Sequence, residues 1–261
     1  MQHKVVILCG GLGTRLREET EFRPKPMVNI GSRPILWHIM KYYAHFGFAN
    51  FVLALGYKGE IIKNYFCHYE LMNSDVTVQL GQPESMCFHH SHGEAGWQIT
   101  LANTGEKSLK GARLKKIEKY ITDETFMVTY GDGIADVDIN ALLAFHRDHG
   151  KMATVTGINP ASRFGELKTD GTRVLSFSEK PQNGEGLVNG GFFVFNRPIF
   201  DYLTADDFCD LEVGVLEKIA AEGQLMVYKH RGFWACMDTL RDMEYLNKLW
   251  DDGQAKWKTW E

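Results

Sequence analysis

Five consecutive apolar residues, Val5–Cys9, run into a glycine-rich turn. A short unbroken apolar run bounded by turn residues is the pattern of a strand buried on both faces. Ser32 can then cap a helix with Pro34 in its first turn, and Ile35, Ile39, Tyr42, Tyr43 and Phe46 recur at helical spacing before Gly47. The same alternation continues downstream. Phe51–Leu55 reads as a strand closing on Gly56, and Glu60–Tyr69 as a helix. Thr125–Tyr130 is a further strand that stops at Gly131-Asp132-Gly133, after which Asp138 caps a helix through His149. Strands alternating with helices predict a mostly parallel α/β sheet.

Past Gly150 the character shifts. Ala153–Ile158 is another strand, and Thr169-Asp170-Gly171-Thr172 reads as a hairpin turn joining Glu166–Lys168 to Val174–Phe177. Val188–Phe195 is an apolar strand carrying Gly190-Gly191, followed by helices over Glu212–Glu222 and Thr239–Trp250. No internal repeat, low-complexity tract or Pro/Ser linker divides the chain. The expectation is one domain over residues 1–261, with a nucleotide-binding half to about residue 150 and an elaboration over 151–261.

Composition narrows the ligand classes. The 261 residues are 44% hydrophobic, enough for a substantial core, and the formal net charge of −4 supplies no basic field for nucleic acid. An anionic ligand must therefore be held by a local concentration of cations. Nowhere do about 18 apolar residues run together, so no membrane span is expected, and the apolar run behind Met1–Lys4 is too short for a signal-peptide core. Five scattered cysteines without a C-x-x-C pair fit reduced thiols in a cytoplasmic protein. They read as small buried hydrophobes.

The turn after the first strand meets this need for local charge. Gly10, Gly11 and Gly13 can turn backbone N–H groups toward phosphate oxygens, and Arg15, Arg17, Arg23 and Lys25 follow closely. As a dinucleotide fingerprint the turn fails, because Leu16 stands where the third glycine belongs and no acidic residue follows Gly56-Tyr57-Lys58. As a Walker A loop it lacks G-K-[ST]. Lys25 lies between Pro24 and Pro26, whose fixed backbone aims its ammonium; Arg17 and Arg23 read as solvated.

Four further motifs each have an ordinary reading beside a functional one. Asp132 between two glycines at a strand end suits a hydrated Mg²⁺, or is a plain Asp-Gly turn. Glu179-Lys180-Pro181 can hold sugar hydroxyls and a phosphate, or is a surface ion pair. Asn189-Gly190-Gly191 allows close approach by a ligand or by backbone. Trp234 and Asp238 supply an aromatic wall and a second carboxylate, although Asp238 could serve only as a helix N-cap. His89-His90-Ser91-His92 lacks zinc-site spacing and reads as a solvated loop.

Taken in order, Gly-Gly-x-Gly-Thr-Arg, Lys-Pro, Gly-Asp-Gly, Glu-Lys-Pro, Asn-Gly-Gly and Asp resemble the sugar-1-phosphate nucleotidyltransferases. The blocks RPILWHIM (Arg33–Met40), FMVTYGDGIADVDI (Phe126–Ile139), SRFGEL (Ser162–Leu167), NGGFFVFN (Asn189–Asn196) and the closing WKTWE (Trp257–Glu261) are similar to the cytidylyl branch. The resemblance implies a Rossmann-like, mixed but mostly parallel sheet flanked by helices. It also implies CTP and α-D-glucose 1-phosphate as substrates, giving CDP-glucose and pyrophosphate. By the same resemblance Leu8, Cys9, Gly10, Gly11, Leu12, Gly13, Thr14, Arg15, Lys25, Ser108 and Arg113 hold the nucleotide. Gly165, Glu179, Lys180, Asn189 and Trp234 line the sugar phosphate. Asp132 and Asp238 bind Mg²⁺ and, with Arg15 and Lys25, form the catalytic set. A homo-oligomer, in this branch a hexamer, is implied as well. Cys9 and Ala112 stand where the family has Ala and Gly, and Asp207–Leu216 lacks its Glu-Pro. A different nucleotide or acceptor, or a regulatory nucleotide-binding module, remains open from the residues alone.

Overall fold

In the computed structural model, residues 3–81, 85–89, 92–159, 166–170, 172–178 and 186–260 are described. The centre is an eight-stranded sheet built from β1 (Val5–Cys9), β2 (Asn50–Leu55), β3 (Gln98–Asn103), β4 (Thr125–Tyr130), β5 (Ala153–Ile158), β6 (Val188–Asn189), β7 (Phe193–Asn196) and β8 (Leu225–His230). β1 lies between β2 and β4, parallel to both, and β3 extends β2 in parallel. β7 pairs antiparallel with β4 and with β5, while β8 joins β5 in parallel. The expected mostly parallel sheet is therefore present, and every antiparallel pair in it involves β6 or β7.

Helices cover both faces, as burial of β1 on two sides requires. These are α1 (Ile35–His45), α2 (Gly59–Cys67), α3 (Lys110–Lys116), α4 (Ile139–His149), α5 (Glu217–Ala221) and α6 (Leu240–Asp251). Alternate residues of β1 enter different cores. Val5, Ile7 and Cys9 pack with side chains of α1, α4 and α6, whereas Val6 and Leu8 pack with Leu114, Ile117, Phe126 and Phe200. Trp257 is fully buried and stacks on Phe233 at 5.5 Å, so the closing segment props the strand that leads to Asp238. No helix among the described residues is long and apolar enough to cross a membrane.

Several boundaries differ from the sequence expectation, each for a local reason. Asn29–Ile30 pairs with Arg33–Pro34, which holds Pro34 extended as the N-cap of α1 and leaves Ser32 in the turn. His68 interrupts the helix expected to reach Tyr69. The strand expected over Val188–Phe195 breaks at Gly190–Phe192, where Gly191 (φ 76°) and Phe192 (φ 48°) turn left-handed. The helix expected over Glu212–Glu222 is regular only in α5, because Gly214 (φ 97°) kinks the preceding turn. Asp138 does cap α4, accepting from Ala141 N at 2.9 Å. Glu166–Asp170 and Arg173–Ser178 pair antiparallel as the expected hairpin, but Thr169 and Asp170, expected in the turn, belong to the ladder after a register shift at Lys168.

Candidate active site

β1 and β4 run parallel and in register, with Leu8 opposite Tyr130, so their carboxyl ends deliver the glycine turn and Gly131-Asp132-Gly133 side by side. A small antiparallel ladder then brings in the distant second carboxylate. Cys236 pairs with Gly133 and Trp234 with Ala135, and Met237 N donates to Asp132 O at 2.9 Å. Residues alternate in an extended chain, so Trp234, Cys236 and Asp238 all face one side. Thr239, not Asp238, caps α6: Thr239 Oγ1 accepts from Asp242 N at 3.3 Å, and Asp242 Oδ2 accepts from Thr239 N at 2.9 Å. Asp238 is thereby left free to face the cavity, which encloses about 470 Å³.

Four charged side chains meet there. Lys25 Nζ donates to Asp132 Oδ2 at 2.6 Å and to Asp238 Oδ1 at 2.5 Å, and Arg15 Nη2 donates to Asp238 Oδ1 at 3.0 Å. Burial alone would pull the Lys25 pKa down. The Asp132 and Asp238 carboxylates outweigh it and hold the ammonium above its ordinary value. Burial would likewise raise the Asp238 carboxyl, yet the bonded Lys25 ammonium, the Cys236 thiol and Arg15 keep it below the usual carboxylate range. Burial and then the two aspartates push the Cys236 thiol up, so it stays protonated. The Asp132, Cys236 and Asp238 donor atoms lie within 4.8 Å of one another and form a possible ligand group for a metal.

Arg113 sits behind the glycine turn and is only 3% exposed. Its Nη2 donates to Gly10 O at 2.9 Å and to Glu106 O at 3.1 Å, and its Nη1 to Thr104 Oγ1 at 2.8 Å and to Gly105 O at 2.7 Å. A Cβ on Gly10 would lie 2.0 Å from the guanidinium carbon, so only glycine admits this clamp. Ser108 Oγ is 2.6 Å from Asp207 Oδ1, and Lys116 Nζ donates to both side chains. On the opposite wall Asn189 Nδ2 donates to Tyr130 Oη at 3.0 Å, Tyr130 donates to Glu212 Oε1 at 2.6 Å, and Lys110 pairs with the same oxygen. Burial and Glu212 push the Tyr130 phenol up, which keeps it a donor. Trp234 Nε1 donates to Gly190 O at 2.8 Å, tying the broken strand to the cavity rim.

Leu8, Cys9, Gly10, Gly11, Arg15, Lys25, Ser108, Arg113, Asp132, Asn189, Trp234 and Asp238 therefore line one cavity. Leu12, Gly13 and Thr14 form the outer turn of the loop (Gly13 φ 65°) and do not line it. Gly165, Glu179 and Lys180 lie outside the described residues. Sequence reasoning missed Lys110, Tyr130, Glu212 and Cys236, which also line the cavity. Reading every cysteine as a buried hydrophobe is corrected: Cys67 and Cys87 are exposed, and Cys236 faces the aspartates. The histidine loop is not wholly solvated either, because His92 packs with Nε2 2.8 Å from Glu70 and Nδ1 3.3 Å from Glu94. His89 instead lies 2.7 Å from Thr77 Oγ1, so the two rings do not converge.

The nucleotidyl transferase family matches residues 4–252. A glucose-1-phosphate cytidylyltransferase of Salmonella typhi is 50% identical over 259 residues, covering 99% of this chain and 100% of that protein. A probable glucose-1-phosphate cytidylyltransferase of Bacillus subtilis is 44% identical over 265 residues, covering 98% and 100%. The crystal structure of HddC from Yersinia pseudotuberculosis shares the fold, with a TM-score of 0.68 at 24% identity over 95% of this chain and 100% of that one.

Proposed function

The chain belongs to the nucleotidyl transferase family, and from that premise we propose that it transfers a cytidylyl group from CTP to α-D-glucose 1-phosphate, giving CDP-glucose and pyrophosphate. The observation that carries this is half-identity to the Salmonella cytidylyltransferase along the full length of both proteins. The cavity chemistry agrees with it. A phosphate oxygen of the sugar attacks the α-phosphorus of CTP in line; a new P–O bond forms, the bond to the β-phosphate oxygen breaks, and pyrophosphate leaves with that electron pair. The attacking phosphate is already an anion, so no protein base has to remove a proton. The barrier is the meeting of two polyanions and the charge that builds on the α-phosphoryl oxygens.

Arg15 and Lys25 neutralise the triphosphate, and Lys180 holds the attacking phosphate. Arg15 is suited to follow the nucleotide because its side chain is 71% exposed and, among the described residues, tethered only at Asp238. The backbone of Gly10 and Gly11, fixed from behind by Arg113, receives the nucleotide. Glu179, Asn189 and Trp234 are assigned to the hexose.

Asp132 and Asp238 fit Mg²⁺, because both carboxylate oxygens already converge on one small cation, the Lys25 ammonium, and are hard donors. The Cys236 thiol is a soft neighbour and is not assigned to that ion. Bound Mg²⁺ neutralises charge developing on the α-phosphoryl and departing oxygens. A homo-oligomer belongs to the same reading, and exposed Leu80, Met86 and Phe88 are apolar surface that a second copy would cover.

A panel of CTP, UTP, dTTP and GTP against glucose 1-phosphate and other sugar 1-phosphates, read by pyrophosphate release, tests the substrate pair. CTP with glucose 1-phosphate is expected to give the highest kcat/KM. A higher value for another nucleotide or acceptor would reassign the specificity, and CTP binding without release for any acceptor would favour a regulatory module.

A further inference from the structure

The well formed by Asp132 and Asp238 already holds a cation. Lys25 Nζ bridges the two carboxylates at 2.6 and 2.5 Å, and Arg15 takes a second contact to the same Asp238 oxygen at 3.0 Å. The two positive and two negative side chains cancel, so the nucleotide-free well exerts little net attraction on a dication. The third donor atom nearby is the sulfur of Cys236, which a hard, oxygen-seeking ion does not use.

From this the geometry points to Lys25 as the resident counterion of the metal well, so that a divalent ion enters only together with the nucleotide. The inference rests on the cytidylyltransferase reading above. A triphosphate changes the balance in two ways. Its oxygens draw the Lys25 and Arg15 side chains away, which uncovers two carboxylates with an uncompensated charge. They also complete an oxygen shell that the protein alone leaves short. Side-chain placement supports the exchange: Lys25 springs from a proline-flanked turn whose backbone is fixed, so its ammonium can move between carboxylates and phosphate without refolding the loop. Metal and nucleotide affinities are then coupled, and each must tighten the other by the same factor.

Water-proton relaxation enhancement with Mn²⁺ tests this, since Mn²⁺ on the slowly tumbling protein is distinguished from Mn²⁺ free or on free nucleotide. Wild-type chain alone is expected to show weak Mn²⁺ binding, and strong binding once a CTP analogue with a methylene bridge between its α- and β-phosphorus atoms is present. Lys25→Met, with folding checked by near-UV circular dichroism and Lys25→Gln as a second variant, is expected to bind Mn²⁺ without nucleotide about 10-fold or more tightly than wild type, the scale of removing one close like charge. Adding Asp132→Asn is expected to abolish that gain. If nucleotide-free wild type binds Mn²⁺ as tightly as Lys25→Met, the inference fails while the metal-assisted reading stands. If Mn²⁺ stays off the protein even with the analogue, both fail.

Discussion

Lys25→Met is expected to lower kcat/KM on the order of 10²-fold or more, with most of the loss in kcat, the scale of deleting one preorganised charge contact. The size follows from where the ammonium stands. Its side chain is only 11% exposed, so its charge acts at low effective dielectric, and Pro24 and Pro26 fix the backbone that aims it. It stays protonated well past neutral pH, because Asp132 and Asp238 overcome the effect of burial. Lys25→Arg is expected to restore little, since a planar, bulkier guanidinium does not reproduce a compact ammonium that passes from the carboxylates to the phosphates. Steady-state kinetics at saturating Mg²⁺, beside thermal melts, separate this from unfolding. Turnover within threefold of wild type in a folded Lys25→Met protein would remove Lys25 from the chemistry.

Arg113→Met is expected to cost stability as well as rate. The guanidinium donates to Gly10 O, Glu106 O, Gly105 O and Thr104 Oγ1, and its near-complete burial leaves no water to replace those bonds. Unpaired buried carbonyls and lost charge-assisted bonds amount to about 3 kcal/mol or more. For a chain of this size that is a fall on the order of 5–10 °C in Tm. The glycine turn loses its backing at the same time, so KM for CTP is expected to rise even at temperatures where the variant is folded. An unchanged Tm would contradict the clamp. The resemblance assigns Arg113 to the nucleotide; in the structure it lines the cavity, with Nη2 reaching Gly10 O of the glycine turn and Glu106 O, and Nη1 reaching Gly105 O and Thr104 Oγ1.

What was legible in the sequence followed strong local periodicity. The apolar run Val5–Cys9, the strand Thr125–Tyr130 and the Asp138-capped α4 carry their signals within a few residues. β3 was missed although Gln98–Asn103 alternates polar and apolar side chains as a strand should: it is an edge strand, mostly half-buried or exposed, and its pairing with β2 is set by residues far away in the chain. β8 is half-buried, and its short apolar run Leu225–Tyr228 is paired, among the described residues, only with the distant β5. Long-range pairing was the least visible. Nothing local ties Lys110 and Tyr130 to Glu212, and the ladder that delivers Cys236 and Asp238 to Asp132 joins segments about a hundred residues apart. Glycine was the least decisive signal: Gly10 is required by the Arg113 guanidinium behind it, whereas Gly11 has no atom within 4 Å of an added Cβ.

The reaction itself is read by ³¹P NMR of the wild-type chain incubated with CTP, α-D-glucose 1-phosphate and Mg²⁺. The expected result is loss of both substrate spectra, with the paired diphosphate resonances of CDP-glucose and inorganic pyrophosphate appearing in equal amounts. CMP and pyrophosphate formed without consumption of glucose 1-phosphate, or unchanged substrate spectra at catalytic protein concentration, would contradict cytidylyl transfer at this cavity.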